Sequence, residues 1–215
     1  SNPVDAGNYF VVIEVKGTTN YSGASDRCKF EIRPKVIDIP VLTSNSTIYD
    51  TLMKTTTITG YDSVSMTISD NTTVNYKIDE SVISLTETNA GSYVLGIDLI
   101  SDNYVWSDQT DATKTYTWII EKASLTKPNL TYSSTYTASS QQIDLTTLGV
   151  TSNMSVALDE RIEEGVSLDN FTLSAVDAKE YFVVISIIDN SNYKWAGETD
   201  DVVSESLTFV WTINK

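Results

Sequence analysis

Chemistry in this chain would have to be done by carboxylates. The sequence contains no histidine, one cysteine and 29 Asp and Glu residues, so it lacks the commonest general base near neutral pH and the commonest transition-metal ligand. His-dependent triads and zinc sites go with it. No glycine-rich phosphate loop or Gly-x-Ser-x-Gly elbow occurs, and Cys28 has no histidine to hold it as a thiolate. Two acidic clusters remain, Asp159-Glu160 with Glu163-Glu164, and Glu198 with Asp200 and Asp201. A glycosidase needs one carboxyl pair at a set separation across a sugar cleft, and nothing in the sequence assembles that cleft. Calcium takes several oxygens from flexible loops, which makes Glu198, Asp200 and Asp201 its candidate ligands. EF-hand spacing is absent, however, and solvated loops on an acidic chain account for both clusters. No catalytic residue and no cofactor is expected.

The other side chains able to recognise a ligand are aromatic. Trp106 and Trp195 each stand two residues past an Asn-Tyr step, at the start of a long polar loop. With Asp108 they are the candidate ligand contacts, because an exposed aromatic face stacks on a sugar ring. The competing role is to brace the loop against the end of the domain. Trp118 and Trp211 alternate with apolar neighbours and read as core residues.

The composition limits the partners. With 14 Lys and Arg residues the formal charge is −15, the wrong sign for nucleic acid, whose phosphates demand a basic surface. No apolar run reaches the roughly 20 residues that span a bilayer, so no membrane insertion is expected in this segment. The N-terminus carries no secretion signal, and an export signal or anchor is expected outside the segment. A lone cysteine excludes an internal disulfide, and Cys28 reads as a small apolar strand residue. Four prolines and nine glycines among abundant Thr, Ser, Val, Ile and Tyr favour half-buried strands, hence an all-β fold.

One strand-loop-strand unit recurs three times. It begins Ala6-Gly7-Asn8-Tyr9-Phe10-Val11-Val12-Ile13, then Ala90-Gly91-Ser92-Tyr93-Val94-Leu95-Gly96-Ile97, then Ala178-Lys179-Glu180-Tyr181-Phe182-Val183-Val184-Ile185, with starts 84 and 88 residues apart. An Asn-Tyr step follows each (Asn20-Tyr21, Asn103-Tyr104, Asn192-Tyr193), then an acidic loop and a second aromatic strand containing Phe30, Trp118 or Trp211. That spacing is one domain per repeat. Between the first and second copies, residues 36–42, 54–59, 64–69, 74–78 and 82–86 alternate as short strands. Five such strands and the hairpin approach the seven of a sandwich.

Asp5-Ala6-Gly7-Asn8-Tyr9 resembles the start of the penultimate strand of immunoglobulin folds, in which a tyrosine corner bonds back to nearby backbone; Asn89 to Tyr93 and Asp177 to Tyr181 match it less completely, and Tyr9, Tyr93 and Tyr181 occupy the tyrosine position. Two residues further on, where antibody domains carry a cysteine, stand Val11, Leu95 and Val183. The chain therefore resembles the disulfide-free bacterial immunoglobulin-like repeats found in tandem in surface proteins of Firmicutes and in phage virion proteins. Their pattern is Ala-Gly-x-Tyr, Asn-Tyr-x-Trp, an acidic loop and a Trp-containing last strand closing on Lys-Ala. Asn103-Tyr104-Val105-Trp106, Trp118 and Lys122-Ala123 fit it, as do Asn192-Tyr193-Lys194-Trp195 and Trp211. The first copy departs, with Ser22 and Phe30 at the Trp positions.

The resemblance implies tandem immunoglobulin-like Greek-key β-sandwiches. If the hairpin closes each module, 34–122 and 123–215 are whole modules and 1–33 is the last hairpin of an incomplete one, completed by an upstream segment or another chain. Nearly absent linkers predict a semi-rigid rod. The expected role is a non-enzymatic extracellular spacer or display stalk on a bacterial or virion surface, whose partners are neighbouring modules of a longer chain. The alternative is direct binding of a host glycan or surface protein by the loops at 101–114 and 189–206.

Overall fold

The structure, a computed structural model, describes residues 2–161, 165–201 and 206–215. Glu163 and Glu164 of the first acidic cluster, and 202–205 of the last loop, lie outside the described residues. The chain divides into two compact units, the first comprising Ser1–Thr47, Met53–Thr88 and Ser92–Ile119, the second Ile48–Leu52, Asn89–Gly91 and Ile120–Lys215.

The first unit opens with β1 (Gly7–Val15) and β2 (Ala24–Ile32), an antiparallel pair that sets Tyr9 opposite Phe30 and Val11 opposite Cys28. There follow β3 (Lys35–Ile37), β4 (Val41–Leu42), β5 (Ser46–Ile48), β6 (Lys54–Thr59), β7 (Met66–Ile68), β8 (Asn75–Asp79), β9 (Val82–Glu87), β10 (Gly91–Leu99), β11 (Tyr104–Trp106) and β12 (Lys114–Glu121). One sheet runs β4-β6-β9-β8 and is antiparallel throughout; another runs β5-β12-β10-β7. Alternation places Ile58, Ile83 and Leu85 of the first sheet and Leu95, Ile97 and Trp118 of the second in the interior.

Two expected strands are shorter than their apolar runs. The run at 36–42 breaks after Ile37 because Pro40 has no N–H to give a ladder. The run at 64–69 starts only at Met66, because the Asp62 carboxylate accepts the Val64 N–H at 3.0 Å and the Ser65 hydroxyl at 2.8 Å and turns the chain there. The three-residue strands β5 and β11 are too brief to show a period and were not expected.

The second unit contains β13 (Ala123–Leu125), β14 (Thr131–Thr135), β15 (Gln141–Asp144), β16 (Met154–Leu158), β17 (Val166–Asp169), β18 (Thr172–Ala175), β19 (Glu180–Ile187), β20 (Tyr193–Trp195) and β21 (Leu207–Asn214). Sheet β14-β21-β19-β16 faces sheet β15-β18-β17 across one core. Tyr181, Val183, Ile185 and Ile187 of β19 and Phe209, Trp211 and Ile213 of β21 fill it from one side, Ile143, Leu173 and Ala175 from the other. A 3-10 turn at Leu145–Leu148 bridges β15 and β16, its start capped by the Asp144 carboxylate on the Thr146 N–H and its end by Gly149 at φ 102°. The chain is all-β, built of immunoglobulin-like sandwiches.

The hairpin β1–β2 and the pair β19–β21 share one register, since Tyr9 opposite Phe30 repeats Tyr181 opposite Trp211. Their surroundings differ. β19 and β21 each have a second neighbour in β16 and β14, whereas β1 and β2 pair only with each other among the described residues. Val183 and Ile185 are therefore fully buried, while Val11 and Ile13 are 49% and 63% exposed. Cys28 is exposed too, since among the described residues no second sheet covers its strand. In the native protein, Cys28 is expected to react with a thiol reagent within about tenfold of the rate in denaturant, because local rather than global opening controls access. Protection by a hundredfold or more would show that the hairpin is covered in solution.

Candidate functional site

The Asn-Tyr-x-Trp segments are the features the repeat singles out, and in both units they form a short strand. β11 runs parallel to β3, setting Tyr104, Val105 and Trp106 beside Lys35, Val36 and Ile37. β20 runs parallel to β13, setting Tyr193, Lys194 and Trp195 beside Ala123, Ser124 and Leu125. The stretch read as a loop of the hairpin thus crosses to the strand that follows the preceding repeat. The asparagine ahead of each strand makes the first contact: the Asn103 carbonyl accepts the Lys35 N–H at 2.8 Å, and the Asn192 carbonyl accepts the Ala123 N–H at 2.9 Å.

Trp106 and Trp195 are fully buried, so neither ring offers an exposed face for stacking on a sugar. Trp106 donates its indole N–H to the Ala112 carbonyl at 2.9 Å, and its backbone closes a turn by donating to the Thr110 carbonyl at 2.9 Å. The Trp106 ring thereby braces the loop that follows it. Over Trp106 the Lys114 ammonium stands 6.0 Å from the ring centroid and donates to Asp108 at 2.6 Å. Asp108 also accepts the Thr110 hydroxyl at 2.7 Å and the Thr110 N–H at 3.1 Å. The Lys114 ammonium, then the Thr110 hydroxyl, hold the Asp108 carboxyl down to about 2. Asp108 thus locks its loop.

Its folded-state pKa lies below the ordinary value of about 3.9, so its stabilising effect is present above pH ~4 and disappears as pH falls toward 2. Asp108→Asn is expected to lose stability at pH 6 and to match the parent near pH 2 in urea titrations. An identical penalty at both pH values would contradict this assignment.

The three calcium candidates are engaged differently. Glu198 pairs with Lys127 at 3.2 Å. Asp200 accepts Lys194 at 2.6 Å and the Lys122 N–H at 3.1 Å. Burial pushes the Asp200 carboxyl up, but these two donors outweigh it and leave it below its ordinary range. Asp201 is exposed in the adjoining turn. Among the described residues no group of three or more acidic or thiol ligands converges on a point that could hold a metal. The sequence reading missed the lysines that pair with Glu198 and Asp200, because Lys127 and Lys194 are brought to them only by folding.

The tyrosines of the repeat all pack by their rings, and Tyr9 and Tyr181 also bond through the hydroxyl. Tyr9 donates to the Asp5 carbonyl at 2.7 Å and Tyr181 to the Asp177 carbonyl at 2.9 Å. Each closes a corner four residues upstream. Tyr93 packs its ring against Trp118 at 6.1 Å between centroids. In the second unit Tyr193 meets Tyr49 edge-on at 5.4 Å, a pairing no local pattern announces.

One open groove lies beside β11. It has a volume of about 520 Å³ and is walled by Pro34, Ile100, Ser101, Tyr104, Gln109 and Asp111, among others. Tyr104 gives it a half-exposed ring, and the serine, glutamine and aspartate give it hydroxyl, amide and carboxylate groups.

No family model matches this chain, and no curated protein matches it. Among solved structures, it is similar to a three-domain stretch of titin Ig domains at 13% identity, covering 97% of this chain and 74% of that one, TM-score 0.31. It is also similar to domains 4–9 of the surface layer protein SbsC, at 11% identity, covering 99% and 36%, TM-score 0.26. A Bacteroides ovatus glucan-utilization protein, SGBP-B, in complex with a mixed-linkage heptasaccharide aligns at 14% identity over 98% and 54%, TM-score 0.18. The immunoglobulin-like assignment stands on the sheet order and strand register of the chain itself.

Proposed function

We propose that this chain is a non-enzymatic segment of tandem immunoglobulin-like modules, 34–122 and 123–215, that spaces or displays other parts of an extracellular surface protein. The observation that carries this reading is where the repeated aromatic residues go. Trp106, Trp118, Trp195 and Trp211 are all spent in the interior, so what recurs is packing rather than a binding face. Asp108, Glu198 and Asp200 of the loops are likewise paired with lysines. The hairpin β1–β2, in register with β19–β21, supports reading 1–33 as the closing pair of a further module.

A second reading has its own observation, the groove at Tyr104. Its ring and polar walls suit a hydroxyl-rich ligand such as a glycan. A glycan array with the intact chain separates the two. The spacer reading expects no saturable binding. Specific binding that Tyr104→Ala and Gln109→Ala both abolish, with the urea midpoint unchanged, would replace it with the adhesion reading.

A further inference from the structure

The two asparagines of the Asn-Tyr steps make the same set of bonds in the two units. In the first, the Asn103 side-chain carbonyl accepts the Ala6 N–H at 2.6 Å, and its amide donates to the Asp5 carboxylate at 2.8 Å. In the second, the Asn192 carbonyl accepts the Ala90 N–H at 2.6 Å, and its amide donates to the Asn89 side-chain oxygen at 3.2 Å and to Asp189 at 2.8 Å. The partners lie 97 and 98 residues apart in the first case, 102 and 103 in the second. A carboxamide is the one neutral side-chain group that presents an acceptor and a donor side by side. The Asx-Ala corner presents the complement, a backbone N–H next to a side-chain oxygen.

A third corner of this kind exists at Asp177-Ala178. It is closed like the first, with the tyrosine four residues on donating to the Asx carbonyl. Asp177 is exposed, Ala178 half-buried, and no acceptor meets the Ala178 N–H among the described residues. We infer that the Asp177-Ala178 corner is a docking site for the asparagine side chain of an Asn-Tyr step on a further immunoglobulin-like module. The recurring Asx-Ala and Asn-Tyr motifs are then two halves of one contact, read by a bidentate amide. This rests on the tandem-module reading and adds to it the residues by which one repeat engages the next.

The test is amide hydrogen exchange on the intact chain and on a chain lengthened by an in-frame copy of residues 123–215 after Lys215. In the intact chain, Asn192→Ala is expected to speed exchange of the Ala90 amide at least tenfold, and Asn103→Ala that of Ala6, each leaving the other unchanged. In the lengthened chain the Ala178 amide is expected to slow at least tenfold. Replacing by alanine the added copy's counterpart of Asn192 should return Ala178 to its original rate. If the added copy does not fold by tryptophan fluorescence, a copy of 34–122, carrying Asn103, takes its place. Unaltered exchange at Ala178 beside a folded extension overturns the docking site while leaving the spacer reading intact. Unaltered exchange at Ala6 and Ala90 in the two point variants overturns the contact itself. Loss of the spacer reading would appear separately, as saturable glycan binding.

Discussion

Trp211→Ala is expected to destabilise the protein by about 3–5 kcal/mol, whereas Phe30→Ala, at the matching position of the first hairpin, costs less than about 1 kcal/mol. The register makes the comparison fair. Trp211 lies opposite Tyr181, with ring centroids 5.6 Å apart, and Phe30 opposite Tyr9, with centroids 5.4 Å apart. The pairwise ring contact is thus nearly the same, and the difference lies in everything else. Trp211 is fully buried and donates its indole N–H to Ser134 at 3.1 Å, so truncation leaves a cavity among Val183, Phe209 and Ile213 and strands the Ser134 hydroxyl. Phe30 is 38% exposed, and water fills the space it vacates. Urea unfolding followed by tryptophan fluorescence measures both. Equal penalties would mean that hairpin β1–β2 is covered in solution as completely as β19–β21.

Gly96→Ala is expected to cost about 1–3 kcal/mol, the range for overpacking a close contact. A methyl group at 96 would stand 2.7 Å from the Ser69 Cβ and 3.3 Å from the Thr113 methyl. Neither can retreat easily. The Ser69 N–H is bonded to the Gly96 carbonyl at 2.9 Å, and the Gly96 N–H to the Thr72 hydroxyl at 3.3 Å, so the two backbones are tied at this spacing. Because the closest clash is with a β-carbon, Ser69→Gly in the same chain should recover most of the loss, giving a coupling energy of about 1 kcal/mol or more in a double-mutant cycle. Additive penalties would show that the strain comes from elsewhere. The repeat itself gives no warning of this, since the third copy carries Val184 at the equivalent position. Only the approach of the segment after β7 in this unit makes glycine necessary.

These two cases mark how far the sequence reaches. Alternation of apolar and polar residues is a property of neighbours two apart, so the strands Lys54–Thr59 and Val82–Glu87, the pairing of each repeat's two long strands and the inward set of β19 were legible from local pattern. So were the tryptophans of the last strands as core. Cys28 and the apolar residues of β1 follow the same alternation but remain exposed, because alternation shows which side chains share a face and not whether anything covers it. For a related reason the sequence left Trp106 and Trp195 between ligand contact and loop bracing. A tryptophan after a strand and before a polar loop has the same local signature whether it points to solvent or, as with Trp106, is closed over by Lys114 and the parallel pairing of β11 with β3.

The sequence by itself determined the all-β character, the threefold recurrence and the absence of histidine-based chemistry, because each depends on residue type and short spacing. The tertiary structure alone decided that the Asn-Tyr step is a strand edge rather than a loop, that Asp108, Glu198 and Asp200 pair with lysines, and that Asn103 and Asn192 reach back about a hundred residues to an Asx-Ala corner. Those are contacts between distant segments, chosen by the free energy of burying and pairing polar groups in the folded chain. A linear pattern records that such a residue recurs, and only the fold shows what it holds.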